Sequence, residues 1–176
     1  NAEQRISLSQ RFSRRIVSAC GSPDYRSLSE IVESIPKLDS NLKVDSKIVY
    51  HSVIDLNNIS ENFKITGGVH AAALYATDGK LLFLAEDVGR HNAVDKVIGE
   101  GALNKIDFSK VFLALSGRLT GDLVLKAARM KIPVVASLAA AISSGLDVAK
   151  VTEVTLVGFV RDNRMNIYTY PERIKS

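Results

Sequence analysis

The sequence predicts a three-layer α/β domain: a mainly parallel, mixed sheet with helices on both faces. Three observations carry that expectation. From residue 66 onward, short apolar runs alternate with segments of helical periodicity. Several of those runs are continuously apolar, as strands covered on both faces are. The chain has 176 residues, 46% of them hydrophobic, which is enough to bury one real core.

Taken in order, residues 1–20 alternate loosely through RISLSQRFSRRIVSAC and are expected to form two short strands. CGSPDYRS is turn material broken by Gly21 and Pro23. SLSEIVESI reads as a short helix capped by Ser27 or Ser29, and PKLDSNLKVDS as a polar loop. HSVIDLNNISENF spaces Val53, Leu56, Ile59 and Phe63 at helical intervals. TGGVHAAALYA leads into a turn at Asp78-Gly79, and KLLFLA is a short buried strand. NAVDKVIGEGAL is a helix capped by Asn92, with Val94, Val97 and Ile98 on one face. KVFLALS and IPVVAS are strands; TGDLVLKAARMK, capped by Thr120, and AAISSGLDVAK are helices. VTLVGFV and MNIYTY are strands paired across Asp162-Asn163. The expected division is residues 1–50, carrying the N-terminal strands and the Cys20 loop, and residues 51–176, the α/β domain.

Composition narrows the function. A net charge of +4, from 23 basic and 19 acidic residues, fits an anionic partner but is no nucleic-acid signature. No apolar run approaches the ~20 residues of a membrane span, and no signal-peptide pattern opens the chain. The single cysteine, Cys20, forbids an internal disulfide and fits a reducing, cytoplasmic setting. The chain starts at Asn1 without an initiator Met and reads as a piece of a longer protein.

Three segments, EDVGRHN, SGRLTGD and SLAAAISSG, each stand between a strand and a helix start. In open α/β sheets ligands bind beyond the C-terminal ends of the strands, and helix N-termini suit phosphates. Gly89 and Gly117 allow close backbone approach, while Arg90 and Arg118 supply bidentate donors. These loops therefore either hold a phosphorylated ligand or simply turn and cap the chain. His51 at a helix start reads as structural; His70 and His91 are candidates for function. A zinc deaminase needs H-x-E and P-C-x-x-C; Ala72 stands where the Glu belongs and one cysteine is too few. No Walker loop is present, and TGG is too short for a dinucleotide fingerprint. Cys20 is either a small buried residue or, with Arg14, Arg15 and Arg26 nearby in sequence, a thiol of lowered pKa.

At TGGVHAAAL, EDVGRHNAVDKVIG, SGR, KA and GFVRDNRMNIY, in that order from about Phe63 to Tyr168, the chain resembles the formate dehydrogenase accessory sulfurtransferase family, FdhD. The resemblance implies a core like that of cytidine deaminase without its zinc. It implies a sulfurtransferase that takes sulfur from a cysteine desulfurase as a persulfide on Cys20. That sulfur passes to the molybdenum cofactor in its bis(molybdopterin guanine dinucleotide) form before the cofactor enters formate dehydrogenase. His91 and Asp87 are then expected to handle protons, and no metal ligand set is implied. Thr66, Gly67, Gly68, His70, Arg90, Ser116, Gly117 and Arg118 are expected to bind the cofactor, together with Phe159, Val160, Arg161, Asp162, Asn163 and Arg164. GDP should mimic the nucleotide arm, and a homodimer is expected. Three segments depart from the family pattern. Pro23 replaces the second cysteine of a C-x-x-C loop, Thr120 and Asp122 stand for Ser and Glu, and Ala141 and Ile142 stand for Pro and Thr. The alternative is a cofactor-binding chaperone that has lost sulfur chemistry.

Overall fold

The computed structural model describes residue 35 and residues 37–176. The strands expected within residues 1–20, the Cys20 loop and the helix expected from Ser27 lie outside the described residues. A six-stranded sheet runs in the order β3-β2-β4-β5-β6-β7. Its strands are β2 (His70–Ala76), β3 (Leu81–Asp87), β4 (Val111–Leu115), β5 (Val134–Ser137), β6 (Thr155–Arg161) and β7 (Arg164–Thr169). The short strands β1 (Val44–Asp45) and β8 (Ile174–Lys175) pair with each other in parallel. The helices are α1 (Ser46–Ile59), α2 (Glu61–Thr66), α3 (Arg90–Leu103), α4 (Gly121–Arg129) and α5 (Ser143–Thr152).

Alternation along the strands divides the core into two. Ala72 and Leu74, Leu113 and Leu115, Val135 and Leu156 face one side, where Val94 and Val97 of α3, Leu123 and Ala127 of α4 and Val148 of α5 cover them. Ala71, Ala73 and Tyr75, Phe112 and Ala114, Val134 and Val157 face the other, under Val49, Val53 and Leu56 of α1. That is the expected three-layer α/β arrangement with a mixed sheet. Within the six-stranded sheet, parallel pairing is confined to β4, β5 and β6, which long crossovers through α4 and α5 join. β2 and β3 are antiparallel because the Asp78-Gly79 turn is too tight for anything else, and the Asp162-Asn163 turn reverses β7 in the same way.

Several local expectations need correction. KLLFLA is a half-buried strand, and among the described residues β3 pairs only with β2, at the edge of the sheet. The helix expected over 51–63 is two helices. The first starts at Ser46, where the Asp45 carboxylate accepts from Lys47 N at 2.8 Å. It stops at Ser60, whose φ of −84° and ψ of 101° are extended and whose hydroxyl donates back to Leu56 O. Because α1 runs through residues 50 and 51 and packs on the sheet, the division drawn there falls inside one structural unit. Asn92 does not cap α3; that helix begins at Arg90, with Gly89 at the cap position. Thr120 does occupy the cap position of α4, but its hydroxyl makes no capping bond and is buried without a partner.

Candidate functional site

One end of the sheet gathers the C-terminal ends of β3, β4, β5 and β6 with the start of β2. Register places His70 opposite Asp87 and Ala72 opposite Leu115, so the loop after β4 meets the first residues of β2. Ser116 locks this corner. Its N–H donates to Ala71 O at 3.0 Å, its hydroxyl accepts from Ala71 N at 3.0 Å, and the same hydroxyl lies 3.2 Å from His70 Nδ1. Gly117 then passes flat against the stem of Arg90. A Cβ there would stand 2.9 Å from Arg90 Cβ and 3.1 Å from Arg90 Cδ.

His70, Arg90, Ser116, Gly117 and Arg118 thus converge, with His91 next to Arg90 at the start of α3. Burial, then the positive charges of Arg90 and Arg118, hold His70 below the usual imidazole range. Burial, then Arg90 and Lys126, do the same for His91 against the weaker pull of Asp122 and Asp95. Both rings are therefore neutral near pH 7. Among the described residues no carboxylate pairs with Arg90 or Arg118. The Arg90 Nε is buried with no hydrogen-bond partner. Buried donors are rarely left unsatisfied, so two unpaired guanidinium groups beside neutral imidazoles and a helix start suit a multivalent oxyanion.

Asp87 has another task. Its Oδ1 accepts from Gly89 N at 2.9 Å and Asn92 Nδ2 at 3.1 Å, and its Oδ2 lies 2.6 Å from Lys96 Nζ. Those donors, Lys96 first, hold the carboxyl at about 2. These bonds have Asp87 organise the turn into α3 and leave it an ionised carboxylate at neutral pH, which can accept a proton but not donate one. Thr66, Gly67 and Gly68 build the turn into β2. Gly67 ends α2 with φ of 62°, which favours glycine, and Thr66 Oγ1 donates to Asn62 O and accepts from Gly68 N.

The segment 159–164 stands at the same end but beyond β5. Phe159 N donates to Ala139 O at 3.0 Å, and the Arg161 guanidinium sits 5.2 Å over the Phe159 ring. Phe159, Arg161 and Arg164 border a cavity of about 220 Å³. Val160 is fully buried in the core under α1, so its side chain is withdrawn from any ligand. Asp162 and Asn163 hold φ of 52° and 56° in the turn. Ser137, which opens the segment SLAAAISSG but was not itself a site candidate, has a buried hydroxyl that donates to Gly117 O at 2.7 Å and accepts from Ala139 N at 3.0 Å. It ties the β4 and β5 loops together, and its only signal was a lone hydroxyl ending the strand IPVVAS. No cluster of three or more His, Cys, Asp or Glu side chains is placed to hold a metal ion among the described residues.

Fold and site define a three-layer α/β protein with unpaired guanidinium groups and neutral histidines gathered at the strand ends. The chain belongs to the FdhD/NarQ family, whose model matches residues 1–175. It is 41% identical over 154 residues to the sulfur carrier protein FdhD of Methanothermobacter thermautotrophicus, covering 88% of this chain and 61% of that one. Identity to the protein of the same name from Sulfurisphaera tokodaii is 45%, over 78% of this chain and 54% of that one. To the Bacillus subtilis protein it is 34%, over 93% and 63%. The chain thus spans less than two thirds of the length of these relatives. The crystal structure of a candidate formate dehydrogenase accessory protein from Desulfotalea psychrophila matches with a TM-score of 0.70 and 36% identity, over 77% of this chain and 61% of that one. Among the described residues no helix is long and apolar enough to cross a membrane.

Proposed function

We propose that this chain is a cytoplasmic sulfur carrier that accepts sulfur from a cysteine desulfurase and passes it to the molybdenum cofactor in its bis(guanine dinucleotide) form, for use by formate dehydrogenase. One observation carries the reading: the chain's single cysteine, Cys20, falls within a family match that spans residues 1–175 and whose members include sulfur carrier proteins. The cationic cluster supports the substrate. Arg90 and Arg118 offer forked donors to a pyrophosphate, and the start of α3 adds main-chain N–H groups.

Loading forms an S–S bond between Cys20 and a sulfane sulfur, while the desulfurase cysteine leaves as thiolate. Transfer breaks that bond. Cys20 departs as thiolate with the bonding pair, and the terminal sulfur becomes sulfide by taking two electrons from the reduced metal of the substrate. The persulfide needs only one sulfur to carry the load, so Pro23 in place of a second cysteine is compatible with transfer. Neutral His70 and His91, rather than Asp87, accept or return protons at the site. The family resemblance adds a homodimer, which light scattering tests against the 19.1 kDa of one chain.

The test is mass spectrometry after incubation with a desulfurase and cysteine, together with Cys20→Ser scored by formate dehydrogenase activation in cells lacking the native protein. A gain of one sulfur on Cys20 and loss of activation by the serine variant are expected. Full activation by Cys20→Ser refutes the carrier role. Pro23 favours a second reading, a cofactor-binding chaperone without sulfur chemistry, and GDP binding without any mass gain would select it.

A further inference from the structure

A side chain closes the ladder between β2 and β4. Register continued one step beyond Ala72 and Leu115 sets Ala71 opposite Ser116. A hydrogen-bonded antiparallel pair normally exchanges two main-chain bonds. Here Ser116 N donates to Ala71 O at 3.0 Å, but Ala71 N donates to the Ser116 hydroxyl, also at 3.0 Å. The incoming N–H takes one lone pair of that oxygen, so the hydroxyl proton must point elsewhere. Among the described residues the acceptor that meets it is His70 Nδ1, at 3.2 Å. A neutral imidazole has one N–H and one acceptor nitrogen, and the bond made at one nitrogen decides where the proton sits. Burial and the charges of Arg90 and Arg118 keep the ring neutral near pH 7. With Nδ1 accepting, the proton is on Nε2. Among the described residues no carboxylate takes it: Asp87, opposite His70 in register, has its oxygens on Gly89 N, Asn92 Nδ2 and Lys96 Nζ. The opposite tautomer would have Ser116 accept twice and leave its own proton without an acceptor among the described residues.

We propose that Ser116 is a positioning residue: its hydroxyl holds His70 as the Nε2–H tautomer, which makes the ring a neutral hydrogen-bond donor, beside Arg90 and Arg118, to the phosphate oxygens of a ligand. The tautomer stands on the geometry alone; the donor role rests on the reading that the cationic cluster binds a phosphorylated ligand. An Nε2 lone pair beside an oxyanion would repel it, whereas an N–H adds a neutral donor to two charged ones. Ser116, which the family resemblance suggested would touch the cofactor itself, acts instead through His70. Proton acceptance from the ligand then falls to His91.

Long-range nitrogen–proton NMR spectra of the full chain, isotope-labelled at histidine, read the tautomer near neutral pH, and the signals lost in His70→Gln belong to His70. The parent and Ser116→Thr should both show a protonated Nε2 and an acceptor Nδ1. Ser116→Ala should lose that fixed pattern and average the two tautomers. In calorimetric titration with GDP, Ser116→Ala and His70→Ala should each bind about fivefold more weakly, the loss of one neutral hydrogen bond. His70→Gln, whose amide keeps an N–H donor, should bind as the parent does. A parent ring protonated on Nδ1, or a pattern that survives in Ser116→Ala, overturns the proposal. The parent spectrum needs no variant, so the tautomer is decided even if Ser116→Ala fails to fold, which a thermal scan checks. If His70→Ala binds GDP as the parent does while Arg118→Ala loses it, the donor role is overturned and the nucleotide reading stands. If the parent itself binds no GDP, the nucleotide reading falls and the donor role with it, while the spectra still decide what Ser116 does to His70.

Discussion

Gly117→Ala is the substitution that most directly tests how the loop after β4 sets Arg90. The new methyl would stand 2.9 Å from Arg90 Cβ and 3.1 Å from Cδ, against the ~3.5–4.0 Å of an ordinary carbon contact. A flexible side-chain tip would swing aside, but Arg90 Cβ is fixed to the first residue of α3. Either the loop or the first turn of the helix must therefore move by about half an ångström or more. Overpacking of this kind costs about 1–3 kcal/mol. Reduced freedom of the unfolded chain returns about 0.4–1 kcal/mol. The steric term wins, leaving a net loss of about 1–2 kcal/mol. For a chain of this size that lowers Tm by about 2–8 °C. Because the strain falls on Arg90, GDP affinity should also drop about tenfold. Circular dichroism melts and GDP titration read the two effects. A variant that melts at or above the parent temperature with unchanged affinity would refute the argument, since the close approach would then constrain nothing.

Two other glycines bracket this case: Gly99→Ala on the exposed face of α3, where a Cβ meets nothing within 4 Å, should stabilise by about 0.5–1 kcal/mol, whereas Gly145→Ala, whose new methyl would collide with Leu119 O, should cost about 3 kcal/mol in urea unfolding. His70 and His91 are both held below their ordinary value, so the unfolded chain binds protons first on acidification. Their contribution is full above about pH 6.5 and is lost as pH falls from there toward the lower folded values; a His70→Gln/His91→Gln double variant should flatten that limb of a Tm–pH profile. Asp87 acts in the same direction at lower pH, its contribution fading as pH falls from about 3.8 toward about 2, and Asp87→Asn should remove that dependence. Arg173, nearly fully buried, donates to Leu38 O, Ser40 O, Glu153 O and Thr155 Oγ1, so Arg173→Met should cost about 3 kcal/mol in urea unfolding at unchanged m, with Arg173→Lys recovering part of it.

Local pattern determined much of this protein. The apolar runs of KVFLALS, IPVVAS and VTLVGFV had to be buried strands, and TGDLVLKAARMK an amphipathic helix over them, because period and burial are linked through the geometry of the chain. The Asp162-Asn163 turn was equally legible, since left-handed turn positions restrict residue choice. The cationic residues of the strand-end loops were recognisable as a group for the same reason: glycines and arginines before helix starts are a local arrangement.

Which partners those residues have was decided by the tertiary structure. Asp87 looked like chemistry beside Arg90 and His91, yet its carboxylate is paired with Lys96 in the second turn of α3. Val160 lies within FVRDNR, but strand alternation turns its side chain into the core. Ser137 became a clasp only when β4 and β5 lay side by side. Tyr50 joined the hairpin only when α1 crossed the sheet to meet a turn 113 residues away. Sequence records which groups a chain can offer. Which of them remain free to meet a ligand depends on the partners that folding brings to each, because a buried donor or charge binds the nearest group that satisfies it.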